Sequence, residues 1–318
     1  MAQNAADAVL DDRALAAFDK VCDLQLPVID DFRGARLQDL EILITGWGCP
    51  PIDEAVLDAA PKLRAVVHTA GSVRAHITQA CWDRGIEVSS AAAANAVPVA
   101  EYTVAMILLS GKRALERARD YKTVRRREEW LSTPRTIGNF GRTIGILSAS
   151  LIGRRVIELL RPYDLNLLLH DPYVLEGEID VPLVSIEELF ERSDLVSVHT
   201  PLLSTTHGLV SRELIGMMRP DAVLLNTARG AVVDQDALAE AARRGDVRAI
   251  LDVTDPEVLP PEHPLWDCEN VLITPHLAGS QGNEWDRLAD LAAAEIERWA
   301  TGSGFAYPVK RERLDLLA

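Results

Sequence analysis

The loop Ser148-Ala149-Ser150-Leu151-Ile152-Gly153 follows the apolar run TIGIL and opens an amphipathic stretch. The next apolar run, LNLLLHD, ends on Asp171. A G-x-G-x-x-G dinucleotide fingerprint is laid out in this order: strand, tight turn, helix N-terminus, second strand, acid. The physics suits that order. A helix N-terminus offers free N–H groups to a pyrophosphate. An acid at the second strand end can accept from a ribose diol, and its charge opposes a 2′-phosphate, so NADH is preferred over NADPH. The glycines fit less well. Ser148 stands at the first position and Ser150 at the second, and only Gly153 remains. Each serine adds a Cβ where space is short, although its hydroxyl can donate to phosphate. Taken alone, the loop leaves two readings open: a nucleotide site, or an α/β turn with no ligand.

The elements around the loop narrow its setting. Short apolar runs recur along the chain: EILITG, LRAVVHTAG, IEVSSA, TIGILS, LNLLLHD, DLVSVHTP, AVLLNTARG, RAILDVTD and NVLITPH. They are rich in Val, Ile and Leu and alternate little, as parallel strands buried on both faces do. Helical patterns separate them, including IDEAVLDAA, RRVIELLRPY and QDALAEAARRG with its terminal Gly245. In SIEELFER, Ser185 and Glu188 make a capping-box pattern. This alternation indicates doubly wound α/β architecture. Two longer amphipathic stretches interrupt it, at about 100–121 and 283–300. Read as crossings between domains, they divide the chain into residues 102–283 and residues 1–101 plus 284–318, one domain inserted in the other. The short run Arg125-Arg126-Arg127, followed by two glutamates, reads as a solvated helix face.

Composition excludes several classes. Of the 318 residues, 48% are hydrophobic and 25% charged, an ordinary globular balance. Asp and Glu number 48 against 33 Lys plus Arg, a net charge of −15. That excess argues against nucleic acid and against an anionic membrane surface as partners. No apolar run approaches the roughly 18 residues of a membrane span. The first twenty residues lack the pattern of a secretory signal. Cys22, Cys49, Cys81 and Cys268 include no CxxC pair, so the expectation is four reduced thiols in a cytoplasmic protein. No metal site is evident, because the seven histidines are scattered.

Several downstream segments in order resemble the NAD-dependent D-2-hydroxyacid dehydrogenase family. They are SDLVSVHTPLLSTTHGLV, MMRPDAVLLNTARGAVVDQDALAEAARRG, LDVTDPE and NVLITPHLAG, joined by LRAVVHTAGSVRAHIT and NAVPVAEYTVAMILL upstream. The resemblance implies two doubly wound parallel-sheet domains, with a Rossmann-type NAD domain inserted into a flavodoxin-like substrate domain. It implies a homodimer formed through the NAD domain. It also implies hydride transfer between NAD(H) and a small 2-keto or D-2-hydroxy acid.

Arg229 matches the family's substrate-binding arginine, Glu257 its carboxylate and His276 its acid/base. The residue types suit the reaction. A guanidinium fork binds a carboxylate and polarises the neighbouring carbonyl. An imidazole supplies the proton as the alkoxide forms, and a carboxylate partner stabilises the imidazolium. Cofactor contacts carried over by the same resemblance are Ser150, Leu151, Ile152, Gly153, Asp171, Thr200, Thr227, Ala228, Arg229, Asp252 and Gly279. Asp252 is expected to accept from the nicotinamide carboxamide. The loop Ala70-Gly71-Ser72-Val73 matches one whose backbone N–H groups hold the substrate carboxylate. Trp47 and Arg74 are candidate pocket walls.

The chain departs from the family at four places. Two fingerprint glycines are absent, and Leu151 stands where a polar or basic residue is common. The loop between Gly245 and Asp252 is one residue short. The usual first strand is missing, unless Ala8-Val9-Leu10 is its remnant. The altered phosphate loop motivates an alternative, a dinucleotide-sensing or scaffold protein on the same fold. Residues Gly46 to Arg74 and the surface near Trp266 would select the substrate. No basic cluster in the first 80 residues favours a phosphorylated one.

Overall fold

The structure, a computed structural model, describes residues 1–126 and 130–316. It begins with two short helices, α1 (Gln3–Val9) and α2 (Asp12–Asp19). β1 (Ile42–Thr45), α3 (Glu54–Ala59), β2 (Ala65–His68), α4 (Gln79–Asp83) and β3 (Glu87–Ser90) follow. Two more helices, α5 (Ala92–Gly111) and α6 (Ala114–Val124), precede β4 (Thr143–Leu147). Then come α7 (Leu151–Leu160), β5 (Asn166–His170), α8 (Ile186–Arg192), β6 (Leu195–Val198), α9 (Arg212–Met217) and β7 (Ala222–Asn226). The chain continues through α10 (Gln235–Arg244), β8 (Val247–Leu251), β9 (Val271–Ile273) and α11 (Trp285–Ala300). All nine apolar runs contain strands.

The chain divides into two compact units, Met1–Val97 with Ser280–Leu317, and Pro98–Gly279. The cuts fall at 97/98 and 279/280 rather than at 101/102 and 283/284.

In the first unit, β1, β2 and β3 form a parallel sheet in that order. No strand precedes β1 among the described residues. Ala8 and Val9 lie on or at the end of α1, not on a strand, and Val9 packs with Phe18 of α2 and Ala289, Ala292 and Ile296 of α11. A helical layer therefore stands where a first strand was looked for. Glu295 is buried on α11 and accepts from Ser89 Oγ at 2.6 Å and from Ala306 N and Tyr307 N at 2.9 Å each, so this buried charge is fully bonded.

In the second unit, six parallel strands run in the order β5-β4-β6-β7-β8-β9. The central strands are buried on both faces. Along β7, Ala222 and Leu224 join one apolar cluster with α8, α9 and α10, while Val223 and Leu225 join another with α5 and α7. That is the period of two expected of a covered strand. Gly145 of β4 has no Cβ because one would lie 2.4 Å from Ser193 Oγ beside α8. The β8 register with β7 and β9 is continuous, so the shorter loop before it leaves Asp252 next after the strand end. The order reverses at β4, and the crevice beyond β4 and β6 is where open α/β sheets bind ligands.

Two helical expectations change. The long helix begins at Ala92 rather than near 100, tolerates Pro98, and breaks before Arg113, whose φ of 49° is left-handed. At 20 residues α5 is long and apolar enough to cross a membrane, contrary to the estimate from apolar runs. Ala100, Val104 and Ile107 are instead buried in the core of the second unit. Arg125 caps the end of α6, and Arg127 with the two glutamates after it lies outside the described residues.

Three buried histidines make stability pH-dependent. His68 and His76 have ring centroids 4.5 Å apart, and both reach Thr45 Oγ1, at 2.9 and 3.2 Å. Burial, and then the neighbouring His76, pushes His68 down to about 3. Burial, with the N-terminal ammonium nearby, lowers His76 to about 4. His199 is wholly buried and falls to about 3. The unfolded chain binds these protons near pH 6.5 and the folded chain does not. Stability is thus at its full value above that pH and is lost as pH falls toward about 4. Each group contributes a slope of up to about 1.4 kcal/mol per pH unit. Urea midpoints should drop clearly between pH 7 and pH 5. Equal midpoints at both values would contradict neutral burial of these rings.

Candidate active site

The phosphate loop retains the glycine geometry without the glycine. Ser148 adopts φ of 81°, the left-handed region that the first fingerprint glycine would occupy freely. Its hydroxyl donates to Asp171 Oδ2 at 3.1 Å, and Ala149 N donates to the same oxygen at 2.7 Å. Tyr173 N donates to Asp171 Oδ1 at 2.8 Å. The acid at the end of β5 is thereby held beside the loop. Ser150 is the N-cap of α7 and accepts from Gly153 N at 3.3 Å. A hydroxyl that accepts in this way keeps its proton to donate. The N–H groups of Leu151 and Ile152 have no partner among the described residues, as a helix start leaves them. Gly153 is obligatory. A Cβ there would lie 2.1 Å from Ser148 O, so only glycine lets α7 close on the loop. Leu151 is exposed. The residues present fit a dinucleotide: open donors at a helix N-terminus, close backbone approach, and an oriented carboxylate.

His199 N donates to Leu147 O at 2.9 Å, and Thr200 Oγ1 lies 3.4 Å from the same oxygen, beside the switch point. Thr227 is buried and its hydroxyl lies 3.1 Å from Thr103 Oγ1. Ala228, also buried, and Arg229 form a turn shaped by Asn226. Its amide oxygen accepts from Ala228 N at 3.0 Å and its Nδ2 donates to Arg229 O at 2.9 Å. Arg229 Nη1 donates to Ala228 O at 2.6 Å. Next in the chain, Gly230 touches the β8 loop so closely that a Cβ would lie 2.1 Å from the Thr254 carbonyl carbon. The Arg229 turn and the loop bearing Glu257 are thus packed together.

Thr254 Oγ1 is 2.9 Å from both Pro256 O and Glu257 O, and Gln235 brackets Asp255 through its backbone N and O. These contacts fix the turn that presents Glu257. Its Oε1 lies 2.6 Å from His276 Nδ1. A carboxylate only accepts, so Nδ1 carries the proton and Nε2 is left to face a ligand. His276 has φ of 51°, a strained value for a side chain of this size.

Asp252 does more than was expected of it. Only 1% exposed, it accepts from Leu277 N and Thr274 Oγ1 through Oδ1 and from Ala278 N through Oδ2. Its backbone oxygen accepts from His276 N at 2.9 Å. Rather than standing free for a carboxamide, the carboxylate organises the loop that carries the histidine. Gly279 closes that loop.

In the first unit, the N–H groups of Ala70, Gly71, Ser72 and Val73 have no partner among the described residues. Ala70 and Val73 are buried and Gly71 and Ser72 are half-buried, so the last two are the open donors of the set, suited to a carboxylate. The two expected walls have these surroundings. Arg74 donates to Leu314 O through Nε at 3.1 Å and Nη2 at 2.7 Å, pinning the C-terminal segment. Trp47 is 41% exposed, and its carbonyl accepts from Ala2 N at 2.9 Å.

Asn226, Thr254, Gln235, Tyr102 and Thr274 were not anticipated. A polar residue ending an apolar strand run marks Asn226 and Thr274, and nothing local marks the others. A cavity of about 720 Å³ is lined by none of the site residues. Its Arg113 and Arg248 are already paired with Asp221 and Glu116.

Several known proteins are similar to this chain. Residues 105–278 match the model of the D-isomer specific 2-hydroxyacid dehydrogenase NAD binding domain. A glyoxylate reductase of Thermofilum pendens is 35% identical over 258 residues, 77% of this chain and 74% of that protein. A solved Thermus thermophilus structure is 31% identical with a TM-score of 0.75, covering 94% of this chain and 96% of that one. A D-lactate dehydrogenase of Aquifex aeolicus, solved with NAD and lactic acid, is 25% identical with a TM-score of 0.71, covering 96% and 97%. The chain belongs to the NAD-dependent D-isomer specific 2-hydroxyacid dehydrogenase family.

Proposed function

We propose that this chain reduces a small 2-keto acid to the D-2-hydroxy acid at Arg229, Glu257 and His276. The 2.6 Å contact between Glu257 and His276 carries the reading. Bound NADH supplies the hydride. The Arg229 fork holds the substrate carboxylate and draws charge toward the carbonyl oxygen. As the carbonyl carbon gains hydride, His276 Nε2 gives its proton to the oxygen. Glu257 holds the ring through Nδ1–H and so fixes the orientation of Nε2. The imidazole then regains a proton from solvent. A sensor or scaffold would have no use for this pair, and the phosphate loop that motivated that alternative keeps its shape.

Asp171, pinned by three donors, supports preference for NADH. A 2′-phosphate would meet its fixed charge. By calorimetry the chain should bind NADH about tenfold or more tightly than NADPH, equivalent to about 1.4 kcal/mol of repulsion. Asp171→Ala should bring the two affinities near parity. Tighter NADPH binding by the unaltered chain would contradict this role.

A homodimer belongs to the same proposal. Its support is α6, which buries none of its residues while carrying Leu115, Tyr121 and Val124, all exposed. Sedimentation should give twice the chain mass at micromolar concentration. A monomer there would contradict it.

A further inference from the structure

The loop that carries His276 hangs on a chain of hydroxyls reaching back to α5. Asp252 Oδ1 accepts from Thr274 Oγ1 at 2.6 Å and from Leu277 N at 2.9 Å. The Tyr102 hydroxyl lies 2.8 Å from Thr274 Oγ1. The direction of each bond is forced. A carboxylate only accepts, so the single proton of Thr274 goes to Asp252. Thr274 must then accept from Tyr102. The order is Tyr102 O–H to Thr274 O–H to Asp252, whose other bonds hold the N–H groups immediately after His276. Burial, the main influence, raises the Tyr102 phenol, which keeps the required proton on it.

We infer that Tyr102 and Thr274 are positioning residues for His276, acting through Asp252. Neither needs to touch substrate. His276 holds a left-handed φ, which a side chain of its size keeps only when its surroundings fix it. Asp252 supplies that constraint by accepting from three consecutive N–H groups, those of residues 276, 277 and 278. The hydroxyl chain in turn holds Oδ1, the oxygen that also accepts from Leu277 N. Hydrogen bonds in such a chain polarise one another, so loss at the far end is felt at the near one. Small displacements of an acid/base group have large kinetic consequences.

The inference rests on His276 being the acid/base, and its test separates the two ideas. Tyr102→Phe removes one oxygen and keeps the ring. It should lower kcat for keto acid reduction about tenfold, with KM for both substrates nearly constant, as a displacement below 1 Å would. Thr274→Val should cost more, and Thr274→Ser, which keeps the hydroxyl, should restore the rate. Because the two residues form one chain, the Tyr102→Phe/Thr274→Val double variant should be no slower than Thr274→Val alone. The His276 ring resonance in the cofactor-free protein, assigned by its absence in His276→Ala, should shift in Tyr102→Phe. That readout needs no turnover, so it decides the positioning claim even if the functional reading fails. An unmoved resonance, wild-type kcat in Tyr102→Phe, or losses that multiply in the double variant would overturn the inference.

Discussion

Replacing His276 with alanine should lower kcat for keto acid reduction by about 10²–10⁴-fold, the range for loss of a positioned acid/base. The fold should survive. The side chain is 48% exposed, and its hydrogen bond to Glu257 is itself at the surface. Thermal midpoint and NADH affinity should therefore stay close to those of the unaltered chain. The loss should fall on kcat rather than on keto acid KM, since the proton is given up only as charge develops on oxygen. Glu257→Gln is the companion variant. It can still orient the ring but offers no charge to the imidazolium, so its loss should be smaller. Steady-state rates with NADH decide the matter, and a His276→Ala protein with full activity would discard the acid/base assignment.

Arg229→Lys is expected to be nearly as damaging, with kcat/KM down about 10²–10³-fold. Charge is retained, yet an ammonium cannot span a carboxylate and its adjacent carbonyl as a planar fork does. The lysine also lacks the geometry of the bond from Nη1 to Ala228 O that aims the guanidinium. Here the loss should appear in both kcat and keto acid KM, because in the proposed reaction the same group binds the substrate and polarises it. Kinetics over a range of keto acid concentrations would show this split. A lysine variant within threefold of the unaltered chain would mean that positive charge alone suffices at this position.

These expectations rest on a site that was partly legible beforehand. The nine strands were readable because unalternating Val, Ile and Leu runs have few other uses in a chain of this polarity. The Ser185–Glu188 capping box and the left-handed Gly245 were local patterns, and both are present. Ser148 was misleading for a physical reason. Sequence rules expect glycine where φ is positive, whereas here a serine holds that conformation with its hydroxyl on Asp171. The start of α5 was hidden by Pro98 and by a run of alanines with no clear periodicity. No strand precedes β1 among the described residues, and the helices there pack on α11 from far along the chain, with Val9 and Ala289 in one apolar cluster. Likewise, Tyr102 and Thr274 are separated by 172 positions. Asp252 carried a family role that drew attention from its simpler one, holding the histidine loop.

The most direct test of the central claim is NADH absorbance when the purified chain meets glyoxylate, hydroxypyruvate, pyruvate or a bulkier 2-keto acid. The account predicts a fall with at least one of them, with the D-enantiomer as product where the product is chiral. No fall with any member of the panel, under conditions where calorimetry shows NADH bound, would contradict it.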